Sequence, residues 1–197
     1  MSESVAVRRQ ENDSKGLFGF WLYLMTDCVL FASLFATFAV LRIGTNGGPT
    51  GQDLFNLPYI LVETLALLTS SFTCGMAILA SRRRLRTQTL LWLAVTFALG
   101  IVFLVMELTE FRHLAADGNG WRRSGFLSGY FTLVGTHGFH ITIGLLWMAA
   151  MFSKVYFKGL TEAGIRKLFL LSLFWHFLDL VWIFIFTIVY LFGVIPV

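Results

Sequence analysis

Five long apolar runs, at roughly 17–42, 57–80, 88–112, 128–153 and 168–193, alternate with short polar stretches along the chain. Each meets the ~20 residues that a helix rising 1.5 Å per residue needs to cross a hydrocarbon core. The pattern predicts an all-α polytopic membrane protein with five transmembrane helices in one domain, residues 17–197. Residues 1–16, MSESVAVRRQENDSKG, read as a polar cytoplasmic tail. They lack the apolar centre of a signal peptide, so the first run is expected to remain as an anchor. The prolines agree with these boundaries. Pro49 falls in the turn-rich loop GTNGGPTGQD, Pro58 suits the first turn of the second span, and Pro196 follows the last span.

Composition turns long helices into membrane helices: 57% of residues are hydrophobic, 13% are charged, and 21 are Phe. A soluble domain of this size needs more charge to cover its surface. The net charge of +4 does not point to nucleic acid, because the basic residues flank apolar spans. Arg8, Arg9, Lys15, Arg82, Arg83, Arg84, Arg86, Lys154, Lys158, Arg166 and Lys167 fall on one face, and Arg42, Arg112, Arg122 and Arg123 on the other. The positive-inside bias therefore predicts a cytoplasmic N-terminus and a periplasmic C-terminus. SRRRLR, with Arg82, Arg83, Arg84 and Arg86, reads as a topology-determining cluster, with lipid-headgroup binding as the alternative. No internal repeat or inverted pair of broken helices suggests a transporter. Cys28 and Cys74 lie in spans, form no CxxC, and read as small buried apolar residues.

Ionisable groups inside the spans change the picture. Asp27, Glu63, Glu107, Glu110, His137, His140, His176 and Asp179 all fall within apolar runs, and His113 sits where the third span ends. Each such group costs roughly 2.5–3.5 kcal/mol on insertion scales, so each is expected to face the bundle interior, a partner or a wet cavity. Glu107 with Glu110, His137 with His140, and His176 with Asp179 are three apart and share a helix face. Helical rise places Glu107 roughly 8 Å and His137 roughly 12 Å from the outer ends of their spans, where the two could meet. Asp27 and Asp179 lie near the middle, and His176 in the cytoplasmic half. One reading makes the imidazoles haem or metal ligands. Against it, His140 and His176 differ in depth by roughly 6 Å, and no CxxCH or HExxH occurs. The other reading has these groups neutralise one another and lock helices together. Small residues add candidate close-approach surfaces: Ala32, Ser33, Ala36 and Ala39 in the first span, and Gly125, Gly129, Gly135, Gly138 and Gly144 in the fourth. The Trp and Tyr are partly at helix ends, as expected of interfacial anchors, whereas Trp147 and Trp182 lie deeper and are expected to face a neighbour.

Several motifs then recur in a recognisable order: VETLALLTSS in the second span, MELTEFRHL closing the third, GTHGFHITIG in the fourth and LFWHFLDLVWIFIFTIVY in the fifth. Together they resemble subunit III of the haem-copper respiratory oxidases, over nearly all of the chain from Leu17. Five spans, with WLYLMTDCVLF in the first and GGPTGQDLFNLP before the second, are most similar to the cytochrome o type of bacterial ubiquinol oxidase. The resemblance implies a bacterial inner-membrane subunit without a redox centre of its own. Haems and copper would belong to subunit I, ubiquinol would be the substrate of the complex, and this chain would pack on subunit I beside subunits II and IV. It would also bind phospholipid and support assembly, stability and proton uptake. The reactive carboxylate of the longer family forms aligns near Pro58, so Glu63 does not inherit that role. Glu110 matches a family glutamate, and Glu107 stands where longer forms carry glutamine.

The combined expectation is an interhelical polar network of Glu107, Glu110, His137, His140, His176 and Asp179, with Asp27 and Glu63 facing a cavity or lipid. No residue is assigned to catalysis, metal or cofactor. Rival readings are subunit III of a menaquinol or cytochrome c oxidase, a free-standing transporter or proton channel for which the buried acids form the pathway, and a membrane cytochrome b.

Overall fold

A computed structural model describes residues 2–42, 44–45 and 56–194, with side chains from Lys15 onward. Pro49, Pro196 and most of GTNGGPTGQD lie outside the described residues. Five long helices carry the fold: α1 (Ser2–Leu41), α2 (Leu57–Arg82), α3 (Arg86–Ala116), α4 (Gly125–Lys158) and α5 (Glu162–Ile185). All five are long and apolar enough to cross a membrane, and no strand occurs among the described residues. The tail expected to precede the first span is drawn into α1. At the other end α5 runs on into a π-helix, Phe186–Leu191, and a last helical turn, Phe192–Val194, a departure the apolar pattern does not announce.

Helix ends follow local chemistry. Pro58 occupies the first turn of α2, where no N–H is missed. Ser124 and Thr161 cap α4 and α5, accepting from the backbone N–H of Leu127 and Gly164. Both α2 and α3 close with a reversal in which the second residue beyond the helix cap donates back five positions. At α3 the left-handed position is Gly118 (φ 75°), with Asn119 N–H on Leu114 O and Gly118 N–H on Ala115 O. At α2 the same place is filled by Arg84 (φ 60°), with Leu85 N–H on Ala80 O and Arg84 N–H on Ser81 O. A non-glycine residue there is strained. Its guanidinium compensates by binding Leu160 O and the Glu162 carboxylate. Arg86 reaches Tyr156 O in the same way, so the α2–α3 and α4–α5 turns are tied together.

In lipid, apolar burial alone does not drive helices together, and close packing with interhelical hydrogen bonds must. α5 packs against α4, α2 and, more lightly, α1; α3 lies against α2 and α4, and α1 against α4. Trp175 is the central fastener. A Cβ at Gly100 or Gly144 would come within 2.9 and 3.0 Å of its ring, so two glycines admit it between α3 and α4. Its Nε1 donates to Ser70 Oγ of α2 at 3.0 Å. Two turns along, Trp182 Nε1 donates to Thr64 Oγ1 at 3.0 Å. Ser70 and Thr64 each spend their own proton on a carbonyl of the preceding turn, Leu67 O and Ile60 O. Their oxygens are thereby left to accept from indole. Thr73 and Thr96 add an α2–α3 contact at 2.8 Å.

The small residues divide. Gly129 receives Phe38 of α1, where a Cβ would lie 3.2 Å from the ring, and Gly138 and Gly144 are equally crowded. Ala32, Ser33, Ala36 and Ala39, expected to make close approaches, are exposed instead. The face that α1 turns inward is Leu24, Asp27, Phe31 and Phe38. Cys28 shares that outward side, contrary to its expected burial, whereas Cys74 is buried.

Candidate functional site

The buried ionisable groups fall into separate places rather than one network. The largest group lies in the half of the bundle opposite the α2–α3 turn, where the first half of α2, the last half of α3, the start of α4 and the π-helix come together. Glu63 on α2 and Glu107 on α3 are fully buried, and Glu110 is close enough to interact electrostatically with both. Neither oxygen of Glu63 has a hydrogen-bond partner, nor does Oε2 of Glu107. Glu107 is pressed onto α4 where Gly138 leaves room: a Cβ there would sit 2.5 Å from Oε1. Among the described residues no cation forms a salt bridge with any of the three acids.

Hydroxyls surround this acid cluster. Tyr190, carried by the π-helix, donates to Glu110 Oε2 at 3.1 Å, and its oxygen lies 3.1 Å from that of Tyr130 on α4. Because Tyr190 gives its proton to Glu110, Tyr130 donates to Tyr190, and a chain Tyr130–Tyr190–Glu110 results. Tyr59, two residues before Leu61 in α2, donates to Met106 O at 3.1 Å beside the same acids. A π-helix widens the turn by one residue, which sets where Tyr190 points. Nothing in the sequence pattern separates these three tyrosines from interfacial anchors. What could have revealed Tyr130 and Tyr190 is depth, since counting inward from the outer ends puts both beside Glu110.

The remaining groups sit elsewhere. His137 and Glu107, expected to be able to meet, do not pair: both His137 ring nitrogens lack a hydrogen-bond partner. The imidazole stacks on Trp182 at 5.2 Å and 29°, with Phe103 at 5.9 Å and Phe31 at 6.4 Å presenting edges. His140 instead directs Nε2 toward Asp27 Oδ1 of α1 at 3.9 Å, and its Nδ1 lies 2.7 Å from Thr136 O. Asp27, expected to face a cavity or lipid, is thus 6% exposed and buried between α1 and α4, and Glu63, given the same expectation, is 0% exposed. His176, expected inside, lies on the exposed side of α5 with Nδ1 returned to Ser172 O at 2.7 Å. Asp179 is buried with Oδ1 unpartnered, facing Ser71 and His176. Arg82, Arg83, Arg84 and Arg86 are at the α2–α3 turn, with Arg82 also over the Phe169 ring at 5.8 Å. Among the described residues no three His, Cys, Asp or Glu side chains are grouped to hold a metal ion.

The family model for cytochrome c oxidase subunit III matches residues 4–194. The chain belongs to that family. Among curated relatives, the cytochrome bo(3) ubiquinol oxidase subunit 3 of Pseudomonas aeruginosa is 56% identical over 184 residues, 92% of this chain and 88% of its own. The protein of the same name from Buchnera aphidicola is 45% identical over 92% of this chain and 94% of its own. A cytochrome c oxidase subunit 3 from a Bacillus species is 44% identical over 90% and 86%. For this subunit III chain, the buried acids, tyrosines and indoles therefore belong to a subunit of a respiratory oxidase.

Proposed function

We propose that this chain is the non-redox subunit III of a bacterial proton-pumping terminal ubiquinol oxidase. It packs against subunit I, with subunits II and IV nearby, in the inner membrane, N-terminus cytoplasmic and C-terminus periplasmic. Haems and copper reside in subunit I; subunit III binds phospholipid and supports assembly, stability and proton uptake. The observation that carries this reading is the 56% identity across 92% of the chain with a ubiquinol oxidase subunit 3, against 44% for a relative named for cytochrome c. The non-redox part is supported by how the imidazoles are spent: His137 is boxed in by rings, His140 is divided between a backbone carbonyl and Asp27, and His176 is turned back on its own helix.

Mild-detergent purification through a tag on this chain tests the proposal. A large haem-bearing partner is expected to accompany it, and the complex should turn over ubiquinol faster than menaquinol or reduced cytochrome c. Deleting the chain should leave the partner's haem spectrum intact while shortening the time over which activity persists. The isolated chain binding iron or copper stoichiometrically with a Soret band, or standing alone and conducting protons in liposomes, would overturn it.

A further inference from the structure

We propose that the pocket beneath the α4–α5 turn holds the phosphate of an anionic phospholipid through Lys154, Lys158 and Lys167. The inference rests on the phospholipid binding proposed above and gives it a site and a lipid class; lipid retained equally by all the lysine variants would leave that reading standing and sink the site. Lys154 and Lys158 are one turn apart on α4, and Lys167 comes from the start of α5. Gly159, at φ 73°, reverses the chain so that all three line one pocket of about 80 Å³ together with buried Met151 and Val155 and with Gly164.

Charge decides what such a pocket takes. No acidic residue lines it. The acid nearest in sequence, Glu162, is engaged by Arg84. The neighbouring arginines are also occupied, Arg84 by that contact and Arg86 by Tyr156 O, whereas none of the three lysines forms an ion pair among the described residues. Favourable placement at a helix C-terminus accounts for Lys154 and Lys158. It does not account for Lys167, which lies at the opposite pole of the next helix, where the backbone already favours an anion. Three uncompensated ammonium groups around a small pocket attract a compact, multiply oxygenated anion.

The surroundings choose lipid over free phosphate. Met151 and Val155 form an apolar wall, and the pocket lies where two membrane-crossing helices, Gly125–Lys158 and Glu162–Leu191, adjoin, which puts the lysines at the interfacial layer. A basic pocket between helix ends at headgroup level is the expected receptor for an anionic lipid.

Native mass spectrometry of the full chain, released in mild detergent with whatever partners it keeps, supplies the test when phosphatidylglycerol, phosphatidylcholine or inorganic phosphate is added. Phosphatidylglycerol should be retained in preference to phosphatidylcholine, and inorganic phosphate at millimolar levels should not displace it. Each single substitution, K154Q, K158Q or K167Q, should weaken retention about fivefold, the equivalent of one surface cation. K154R should retain lipid. R112Q, which removes a cation from the opposite end of the bundle, should leave binding unchanged. Equal loss in R112Q, undiminished retention in the lysine variants, or occupancy by inorganic phosphate alone would each overturn the proposal.

Discussion

Gly138 shows most sharply how one atom can matter. Its missing side chain is the space that the Glu107 carboxylate fills, with a Cβ 2.5 Å from Oε1, and Glu107 is 1% exposed. Gly138→Ala is expected to lower the stability of the assembled protein by about 1–3 kcal/mol, the usual cost of overpacking. Adding Glu107→Ala should recover part of it; thermal melts in detergent of the two variants and the double variant read this, and no recovery would mean that Glu107 is not the obstructing group. The tyrosine chain makes a second prediction. Tyr190→Phe removes both the bond to Glu110 and the acceptor for Tyr130, whereas Tyr130→Phe leaves the Tyr190–Glu110 bond in place. With membrane hydrogen bonds averaging about 0.6 kcal/mol and more when a carboxylate accepts, Tyr190→Phe should cost more than Tyr130→Phe in the same melts. The sequence exposed the acids, because a carboxylate in an apolar run is conspicuous and three-residue spacing fixes its helix face. It did not expose their partners. Which side of α4 meets α3 depends on where glycines let helices close, so His137 faces rings and Gly138, its neighbour, faces Glu107.

Helix number, the start of α2 and the α2–α3 turn were legible at the scale of elements because span length, Pro58 and the arginine cluster are local signals, whereas the reach of α1 back to Ser2 was not. The π-helix was not, since FTIVYL carries no Pro or Gly to mark it, and its cause is tertiary. Deleting Ile188 removes the one extra residue of the π turn and should restore ordinary helical winding with Tyr190 still toward Glu110, because the missing residue and the tighter winding offset each other. The expected result is a loss smaller than that of Tyr190→Phe, and a deletion as costly as the point substitution would show that the π turn itself serves that contact. The α2 terminus offers a complementary case. Arg84→Gly relieves a left-handed strain of about 1–2 kcal/mol but cuts the ties to Leu160 O and Glu162. Overall stability should therefore change little. Amide exchange around residues 159–162 should accelerate, because that turn is held to α2–α3 through Arg84. Unchanged exchange there would show the tie to be idle.

For the whole molecule, the distribution of fasteners matters more than their number. α2 to α5 are joined by Trp175, Trp182, the Thr73–Thr96 pair and the Tyr59–Met106 bond, each linking helices within that set. α1 is attached differently. Of its most apolar stretch 22% is buried, against 28% for α3, 44% for α4 and 50% for α2 and α5, and its contacts with α4 and α5 are mostly ring contacts, Phe20 on Trp147, Tyr23 on Phe174, Phe31 on His140 and Phe177, and Phe38 in the Gly129 notch, with Asp27 toward His140. A helix held this way separates from the others before they separate from one another. Phe31→Ala removes a ring 2% exposed and, at up to about 3–5 kcal/mol for a buried Phe, should be enough to make α1 open independently. Hydrogen exchange followed by mass spectrometry should then show faster exchange along residues 24–38 with α2 and α3 unchanged. Trp175→Phe should do the reverse, loosening α2 to α5 through the lost bond to Ser70 while α1 keeps its rate. If Phe31→Ala instead accelerated all five helices together, the bundle would be one cooperative unit and α1 no appendage to it.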